Sequence, residues 1–389
     1  MHLPVERDRE KLLRLKAALL CYGLKANEFS EELARIFDPS MEKRTGLVGV
    51  QLKLGDYVVN AAMDKFYENT YIYTNKSEYE LRKVMLDGQP YWVLFRSADN
   101  HRGVNRVPIT TVELIEQPSW YTRKTKYGRP MTEIFLSEGE ANLMGCAFHY
   151  CAFFEEGKQC KFCALDQRRG NDKRPSEFAE VAVAAYSEDP NITMTINSGT
   201  LYSPDRGLKR LTKYVEAIMG ALKKECDISY IPLQIECAPP DDIRYLQNII
   251  EAGANSFSIN LEIFDEKIRK EVCPGKSQIP FETYERSWSY VVEKLGDYRA
   301  ASVLIFGLEP IESTIEGAEY LLERGVLPNI VPFRPLPGSV YENRKPVNHE
   351  KLFEVYLEIA KLIKKHGVDT NMRLGCSTCK GCSMELDTI

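Results

Sequence analysis

The sequence from position 146 to position 163 reads Cys146-Ala-Phe-His-Tyr-Cys151-Ala-Phe-Phe-Glu-Glu-Gly-Lys-Gln-Cys160-Lys-Phe-Cys163. Its four thiols lie within one loop-like segment, and the last two are separated by only two residues. Thiolates at this spacing reach one metal centre without straining the backbone, so the stretch predicts a soft-metal site. Three such thiolates are able to hold three irons of a 4Fe–4S cluster and to leave the fourth iron open to a small molecule.

After this segment, short β-rich runs alternate with helical stretches. The predicted strands occupy residues 192–196, 233–236, 256–261, 301–306 and 327–332, and the predicted helices occupy 208–224, 240–252, 281–294, 311–324 and 349–365. Repeated βα units imply parallel strands joined by right-handed crossovers. The alternation therefore predicts an α/β fold built as a barrel or a doubly wound sheet.

Before the thiol segment, the patterns are mixed. Leu12, Leu15 and Leu19 recur at helical spacing, and Ser30 is placed to cap a second short helix that ends at Asp38-Pro39. From Val48 to Leu54 apolar residues alternate with others, as in a strand, and residues 91–95 and 112–115 are further strand candidates. We interpret residues 1–125 as a small α+β accessory domain without obvious chemistry.

Polar or backbone-exposing residues follow several of the predicted strands. They are Asn197-Ser-Gly-Thr200, Glu236-Cys-Ala238, Asn260-Leu-Glu262, Gly307-Leu-Glu309 and Arg334-Pro-Leu-Pro-Gly338. The carboxyl ends of barrel strands meet at one mouth, so these groups are expected to converge beside the thiol segment as a small-molecule site. Such residues are also ordinary at the start of loops, and this plain interpretation applies to any one of them taken alone.

With these features in place, the sequence resembles the radical SAM superfamily, whose members bind a 4Fe–4S cluster through three cysteines after the first strand of a partial barrel. Cys160-Lys-Phe162-Cys163 matches the end of the family's Cys-x3-Cys-x2-Cys motif, including the aromatic residue before the last cysteine. The first gap is longer than usual. Cys151 is therefore the expected first ligand, with Cys146 as the alternative.

Other stretches are similar to further family motifs. Asn197, Ser198 and Gly199 occupy the place of the glycine-rich turn whose backbone contacts the SAM amino group. The stretch that contains Gly307 resembles the fifth-strand motif beside the adenine, although Val303 replaces a glycine and the acidic residue is shifted by one. Phe333-Arg-Pro-Leu-Pro-Gly338-Ser339 resembles the sixth-strand stretch of biotin-synthase-like members.

The resemblance implies a partial TIM-type (β/α)6 barrel over residues 126–370. It also implies that a reduced cluster passes one electron to bound SAM, and that the resulting 5′-deoxyadenosyl radical abstracts a hydrogen atom from the substrate. Phe162 is expected to pack beside the cluster, and Glu236 or Glu262 to hold the ribose hydroxyls or a cationic part of SAM. An electron donor such as ferredoxin or flavodoxin is implied as a partner.

Three more thiols, Cys376, Cys379 and Cys382, follow the last helix as Cys-x2-Cys-x2-Cys. We interpret residues 371–389 as a cysteine-rich tail with a second metal site, either an auxiliary iron–sulfur cluster or a structural zinc knuckle. Lys276, in Cys273-Pro-Gly-Lys276, is expected to point outward from a turn, either over the substrate or as a plain surface residue.

Two rival interpretations belong to other classes of protein. The first is a non-catalytic scaffold with zinc at Cys146, Cys151, Cys160 and Cys163, because tetrahedral zinc takes four protein ligands. The second is an electron-transfer protein with two clusters. Neither gives a role to the polar residues at the predicted strand ends.

Composition limits the partners and the compartment. The 389 residues include 51 basic and 56 acidic side chains, so the net charge of −5 gives no reason to expect nucleic acid or an anionic membrane as a partner. No apolar run approaches the roughly 20 residues that span a bilayer, and the first ten residues lack the apolar core of a signal peptide. We expect a cytoplasmic enzyme with a small-molecule or peptide substrate; the sequence does not specify which substrate or which reaction outcome.

Overall fold

The computed structural model describes residues 3–30, 32–33, 49–63, 73–100 and 103–389. Within these ranges the chain forms two sheets, one of five strands and one of seven. The five-stranded sheet comes first in the chain, and the thiol segment begins at the end of the second strand of the seven-stranded sheet. The candidate site lies at the seven-stranded sheet.

The first part of the chain combines one long helix with an antiparallel sheet. Helix α1 spans Arg9–Tyr22, begins after an Asp8 side chain that accepts from Lys11 N, and ends at Gly23. The strands are β1 (Gly49–Leu54), β2 (Tyr57–Ala62), β3 (Tyr79–Leu86), β4 (Gln89–Asn100) and β5 (Gly103–Leu114), in the order β2-β1-β5-β4-β3. The predicted first helix and strands are confirmed, whereas most of the predicted second helix lies outside the described residues.

The second sheet is a curled half-barrel. Its strands are β6 (Leu136–Glu138), β7 (Asn142–Cys146), β8 (Thr193–Asn197), β9 (Leu233–Cys237), β10 (Ser256–Ile259), β11 (Ala300–Phe306) and β12 (Val326–Pro332). Strands β7 to β12 lie side by side in chain order and pair in parallel, and β6 adds an antiparallel edge next to β7. This arrangement confirms the predicted α/β class and the six-stranded partial barrel.

Helices connect the parallel strands. They are α2 (Ala152–Glu155), α3 (Pro175–Glu188), α4 (Leu208–Cys226), α5 (Arg244–Glu251), α6 (Glu266–Val272), α7 (Phe281–Leu295), α8 (Ile311–Leu322) and α9 (His349–Lys365). Helix α3 was not predicted from the sequence. The short helices α2 and α6 were not given bounds from the sequence either, whereas α4, α5, α7, α8 and α9 overlap the predicted helices, whose apolar residues recur at helical spacing.

One hydrophobic core joins the two sheets. Buried side chains of α1, of the first sheet and of the barrel belong to a single continuous cluster. Helix α1 packs against both β2 and α9, so it lies between the antiparallel sheet and the barrel. The boundary at residue 125 remains a sequence-based prediction.

The carboxyl-terminal tail turns back underneath the barrel. Ser256 Oγ donates to Leu374 O at 3.0 Å, and Cys376 N donates to Thr195 Oγ1 at 2.8 Å. Further along, the tail reaches the first sheet, where Asn60 N donates to Gly381 O at 2.7 Å. Among the described helices, none combines the length and the apolar character that crossing a membrane requires.

Candidate functional site

The cysteine loop begins where β7 ends and is fixed by backbone hydrogen bonds to three other parts of the barrel. Ala147 N donates to Asn197 O at 2.8 Å, and Ala152 N donates to Thr200 O at 2.8 Å. Later in the loop, Lys161 N donates to Val272 O at 2.9 Å. The loop is thus held over the carboxyl end of the sheet, where the barrel interior opens.

Three of the four loop thiols interact with one another. Cys151, Cys160 and Cys163 act on one another electrostatically, and all three keep part of their surface accessible. The Cys146 thiol instead donates to Phe148 O at 3.5 Å, next to the end of β7. The arrangement groups the three cysteines that the sequence favours and leaves Cys146 in a separate contact.

Burial keeps these thiols protonated in the absence of a bound metal. Burial raises the pKa of Cys163 to about 12 and also raises the pKa of Cys151. A hydrogen bond with the Cys273 thiol, together with burial, raises the pKa of Cys160. A metal centre that binds these sulfurs must therefore displace their protons.

Phe162 lies in an apolar cluster at the carboxyl ends of the last strands. It packs with Cys160 against a group formed by Ile263, Val272, Cys273, Ile305, Leu308, Phe333 and Tyr341. These residues come from the ends of β10, β11 and β12 and from α6. The predicted position of Phe162 beside the cysteines is therefore apolar, as suits the wall of an iron–sulfur site.

The turn Asn197-Ser198-Gly199 packs directly against the cysteine loop. A Cβ atom at Gly199 would lie 2.0 Å from Tyr150 O and 2.7 Å from Cys151 Cβ, so only glycine fits there. The close approach places the turn's backbone beside Cys151. The sequence predicted this turn as a SAM contact, and the structure places it next to the proposed first ligand.

Glu236 stands one strand away from Asn197 on the same face of the sheet. Asn197 Nδ2 donates to Glu236 Oε2 at 3.2 Å. Burial raises the pKa of Glu236 to about 7, and the Asn197 hydrogen bond opposes that shift. Glu236 also acts electrostatically on Cys376 of the tail, so this carboxyl lies between the cysteine loop and the tail thiols.

Glu262 is held in an ion pair inside the barrel. Lys276 Nζ lies 2.5 Å from Glu262 Oε1 and donates to Asn260 O at 2.9 Å. Burial alone would lower the pKa of Lys276, but the Glu262 carboxylate raises it above its ordinary value. The expectation that Lys276 points outward is therefore wrong: the carboxylate and the carbonyl draw the ammonium inward.

Gly307 and Glu309 have structural contacts at the end of β11. Gly307 has a φ of 95°, and a Cβ there would lie 2.0 Å from Val347 Cγ1. Glu309 Oε2 accepts from Phe264 N and Asp265 N, each at 2.8 Å, just before α6. Glu309 thus satisfies backbone donors near the start of that helix, while Gly307 remains a predicted SAM contact.

The tail thiols form a second group beneath the first. The Cys376 thiol is hydrogen-bonded with that of Cys379, and Cys379 acts electrostatically on Cys382. Ser377 Oγ accepts from Gln234 Nε2 at 2.8 Å on the face of β9 that also carries Glu236. The second group therefore lies against the barrel interior, at the opposite end from the cysteine loop.

The donor sets at both places fit iron–sulfur chemistry. At each place the candidate ligands are three cysteine thiols. Thiolates are the ligands that hold iron–sulfur clusters. In the described part of the chain, no three His, Cys, Asp or Glu side chains are gathered to bind one metal ion. A 4Fe–4S cluster does not need such convergence, because each thiolate binds a different iron.

Part of the chain is similar in sequence to known proteins. Residues 148–331 match the family model described as the Radical SAM superfamily. Bacteriochlorophyllide c C-7(1)-hydroxylase of Chlorobaculum limnaeum is 26% identical over 267 residues, which are 64% of this chain and 66% of that protein. The chain thus spans just under two thirds of that relative's length.

Two solved structures are partly similar to this chain. HydG, a maturase of the FeFe-hydrogenase, has a TM-score of 0.44 at 14% identity and covers 60% of this chain and 51% of its own. A radical SAM methyltransferase from Sphaerobacter thermophilus has a TM-score of 0.42 at 12% identity and covers 78% of this chain and 82% of its own.

The fold and the matched segment together define the class. The half-barrel carries a radical SAM domain, and the resemblance found in the sequence is confirmed. The match covers just under half of the chain, and a radical SAM domain implies a 4Fe–4S cluster and SAM as cofactors.

Three residues near the two thiol groups were not predicted to have a role there. Cys273 was treated as a small core hydrophobe, Lys276 as an outward turn residue, and Arg334 as one of several residues after a strand. For Cys273 and Lys276, the sequence motif Cys273-Pro-Gly-Lys276 could have indicated such a role, because its glycine lets the loop approach Lys158 O closely. The direction in which each side chain points is set by contacts distant in sequence.

Proposed function

We propose that this enzyme cleaves SAM reductively at a 4Fe–4S cluster held by Cys151, Cys160 and Cys163, in order to take a hydrogen atom from a substrate inside the barrel. The observation that carries the proposal is the grouping of these three thiols over the carboxyl end of the sheet. When bound, the cluster and SAM supply a one-electron reduction and a hydrogen-abstracting radical.

The chain's own residues supply position and shielding in this proposal. Gly199 lets its turn pack on the cysteine loop, and Phe162 covers the loop from its apolar side. The ion pair of Glu262 and Lys276 fixes a charged group at the end of β10, where a polar part of SAM is expected to bind. Glu236, deeper in the barrel, is available to a SAM hydroxyl or to the substrate.

We also propose an auxiliary iron–sulfur cluster at Cys376, Cys379 and Cys382, with zinc as the alternative occupant. The support is the contact of these thiols with one another and their place against the barrel interior. The substrate, small molecule or peptide, would lie between the two centres, next to Glu236. A ferredoxin or flavodoxin as electron donor and a cytoplasmic location remain predictions.

The first experiment is an anaerobic assay. The protein is reconstituted with iron and sulfide, reduced with dithionite and mixed with SAM, and 5′-deoxyadenosine is measured together with iron per chain. We expect 5′-deoxyadenosine from the wild type and none from Cys163→Ala. Two clusters correspond to about eight irons per chain, and Cys379→Ala should keep about four.

Two results would contradict the proposal. The first is 5′-deoxyadenosine formation that survives in Cys163→Ala. The second is a wild-type protein that holds zinc without sulfide, which is the outcome expected of a zinc scaffold. If 5′-deoxyadenosine forms, the similarity to a hydroxylase makes hydroxylation of a substrate carbon the first outcome to test.

A further inference from the structure

Arg334 is a buried cation whose charge lacks a partner in the described structure. Its side chain is 4% exposed, and only Nε is satisfied, by donation to Leu20 O at 2.8 Å. Nη1 and Nη2 are both buried without a hydrogen-bond acceptor among the described residues. A guanidinium is always charged in proteins, and a buried charge without a counter-charge is strongly unfavourable.

Helix α1 contacts both Arg334 and the cysteine-rich tail. Lys16 and Leu20 are one helical turn apart and therefore neighbours on α1. Lys16 Nζ donates to Lys380 O at 2.6 Å, while the Leu20 carbonyl accepts from Arg334. The tail segment that carries Cys379 and Cys382 is thus anchored next to the guanidinium, and Arg334 acts electrostatically on Cys382.

The two buried acidic residues of the tail, Asp387 and Glu385, do not pair with Arg334. Asp387 Oδ2 lies 2.5 Å from Lys16 Nζ, inside the protein. Glu385 is buried too, neither of its carboxyl oxygens is hydrogen-bonded to Arg334, and burial raises its pKa to about 8, so near neutral pH it is largely protonated. A cluster bound at the tail thiols would itself be a negative group in this region, because three thiolates outweigh the positive charge of an oxidised 4Fe–4S core.

We propose that Arg334 is the counter-charge of the tail centre: its free Nη groups donate to the sulfur atoms of a cluster at Cys376, Cys379 and Cys382 and raise that cluster's reduction potential. The inference rests on the proposed tail cluster. Hydrogen bonds and nearby positive charge favour the reduced, more negative state of an iron–sulfur cluster. Arg334 is a positioning residue in this scheme, since it acts on the centre and not on substrate.

The test isolates the tail centre in the full-length chain. A parent variant with Cys160→Ala and Cys163→Ala lacks the loop cluster and should retain about four irons per chain. Arg334→Gln and Arg334→Lys are then added to this parent, and the midpoint potential is measured by redox titration followed by electron paramagnetic resonance. We expect a shift to more negative potential with Gln, and a smaller shift with Lys, which keeps the charge but has fewer donors.

Arg324→Gln, the same change at a partly exposed arginine on the outer side of the barrel helices, is the matched control and should leave the potential unchanged. An unchanged potential in every Arg334 variant that retains iron would overturn the inference. So would loss of iron from both variants with an unchanged circular dichroism spectrum, since Arg334 would then retain the cluster without tuning it. A parent that binds no iron would instead refute the tail cluster of the proposed function.

Discussion

Glu385, three residues after the last cysteine, shows how burial changes the pKa of a single carboxyl group. The residue is 1% exposed, and burial raises its pKa to about 8. Its proton is therefore bound more tightly in the folded chain than in the unfolded chain, where the pKa is close to 4.5. The contribution of Glu385 to the free energy of unfolding is complete below about pH 4.5 and is lost as the pH rises towards 8.

We expect Glu385→Gln to remove this loss, because an amide of the same shape does not ionise. The difference in melting temperature between the variant and the wild type should therefore grow in favour of the variant from pH 5 to pH 8.5. Anaerobic calorimetry at four or five pH values measures it. A constant difference across that range would show that Glu385 does not titrate with a raised pKa.

Single side chains were the hardest part of the site to predict. The spacing of Cys160, Phe162 and Cys163 is local, so the sequence alone predicts that all three lie beside one another. The inward direction of Lys276 depends on Glu262 and Asn260, which lie 14 and 16 positions earlier. No local pattern encodes such a pair, and a Pro-Gly turn by itself favours solvent.

The turn after β8 is the element that positions the cysteine loop. We expect Gly199→Ala to displace the loop, because its Cβ would meet the Tyr150 carbonyl oxygen at 2.0 Å and backbone must move to relieve the contact. The variant should lose the loop cluster, about half of the iron, and should form at most a tenth of the wild-type 5′-deoxyadenosine. Iron analysis and the SAM cleavage assay measure both effects.

Gly220→Ala is the matched control for this prediction. Gly220 lies within α4, and a Cβ there has nothing within 4 Å. Alanine should be neutral or should stabilise the helix by up to about 1 kcal/mol. If Gly199→Ala keeps full iron content and activity, the close packing of turn on loop has no role in holding the cluster.

Elements with strong periodicity were predicted well, and those without it were not. The strands β8 to β12 coincide with short apolar runs separated by amphipathic helices, and that alternation predicted a barrel or a doubly wound sheet. The partial barrel was implied by the resemblance to the radical SAM superfamily. Helix α3 has a broad apolar face rich in alanine, and β7 runs directly into the cysteine loop, so neither carries a clear period. The antiparallel edge β6 has only three residues, too few for a periodic signal.

At the scale of the whole molecule, the unexpected feature is how the two ends of the chain meet. The sequence suggested a separate accessory domain and a cysteine-rich tail with a second metal site. The structure joins them: α1 shares its core with the barrel and anchors the tail that carries the second thiol group. Contacts between residues more than 360 positions apart leave no trace in local sequence patterns, so this role of α1 was not predictable.

Lys16 lies at the centre of the contact between α1 and the cysteine-rich tail. Its side chain is fully buried, and Nζ contacts both Lys380 O and Asp387 Oδ2. Lys16→Met should leave the Asp387 carboxylate buried without its partner, at a cost of about 3–5 kcal/mol, and should release the tail. We expect iron per chain to fall by about half while the loop cluster remains.

Lys11→Met, on an exposed part of the same helix, is the control and should change neither iron content nor stability measurably. The double variant Lys16→Met with Asp387→Leu separates the two consequences of the single change. It removes the unpaired charge and should recover much of the stability, but it cannot restore the contact with the Lys380 carbonyl, so the tail iron should stay low. Full iron content in Lys16→Met would mean that the tail centre forms without help from α1, and that the amino-terminal part of the chain serves some other purpose than building the second metal site.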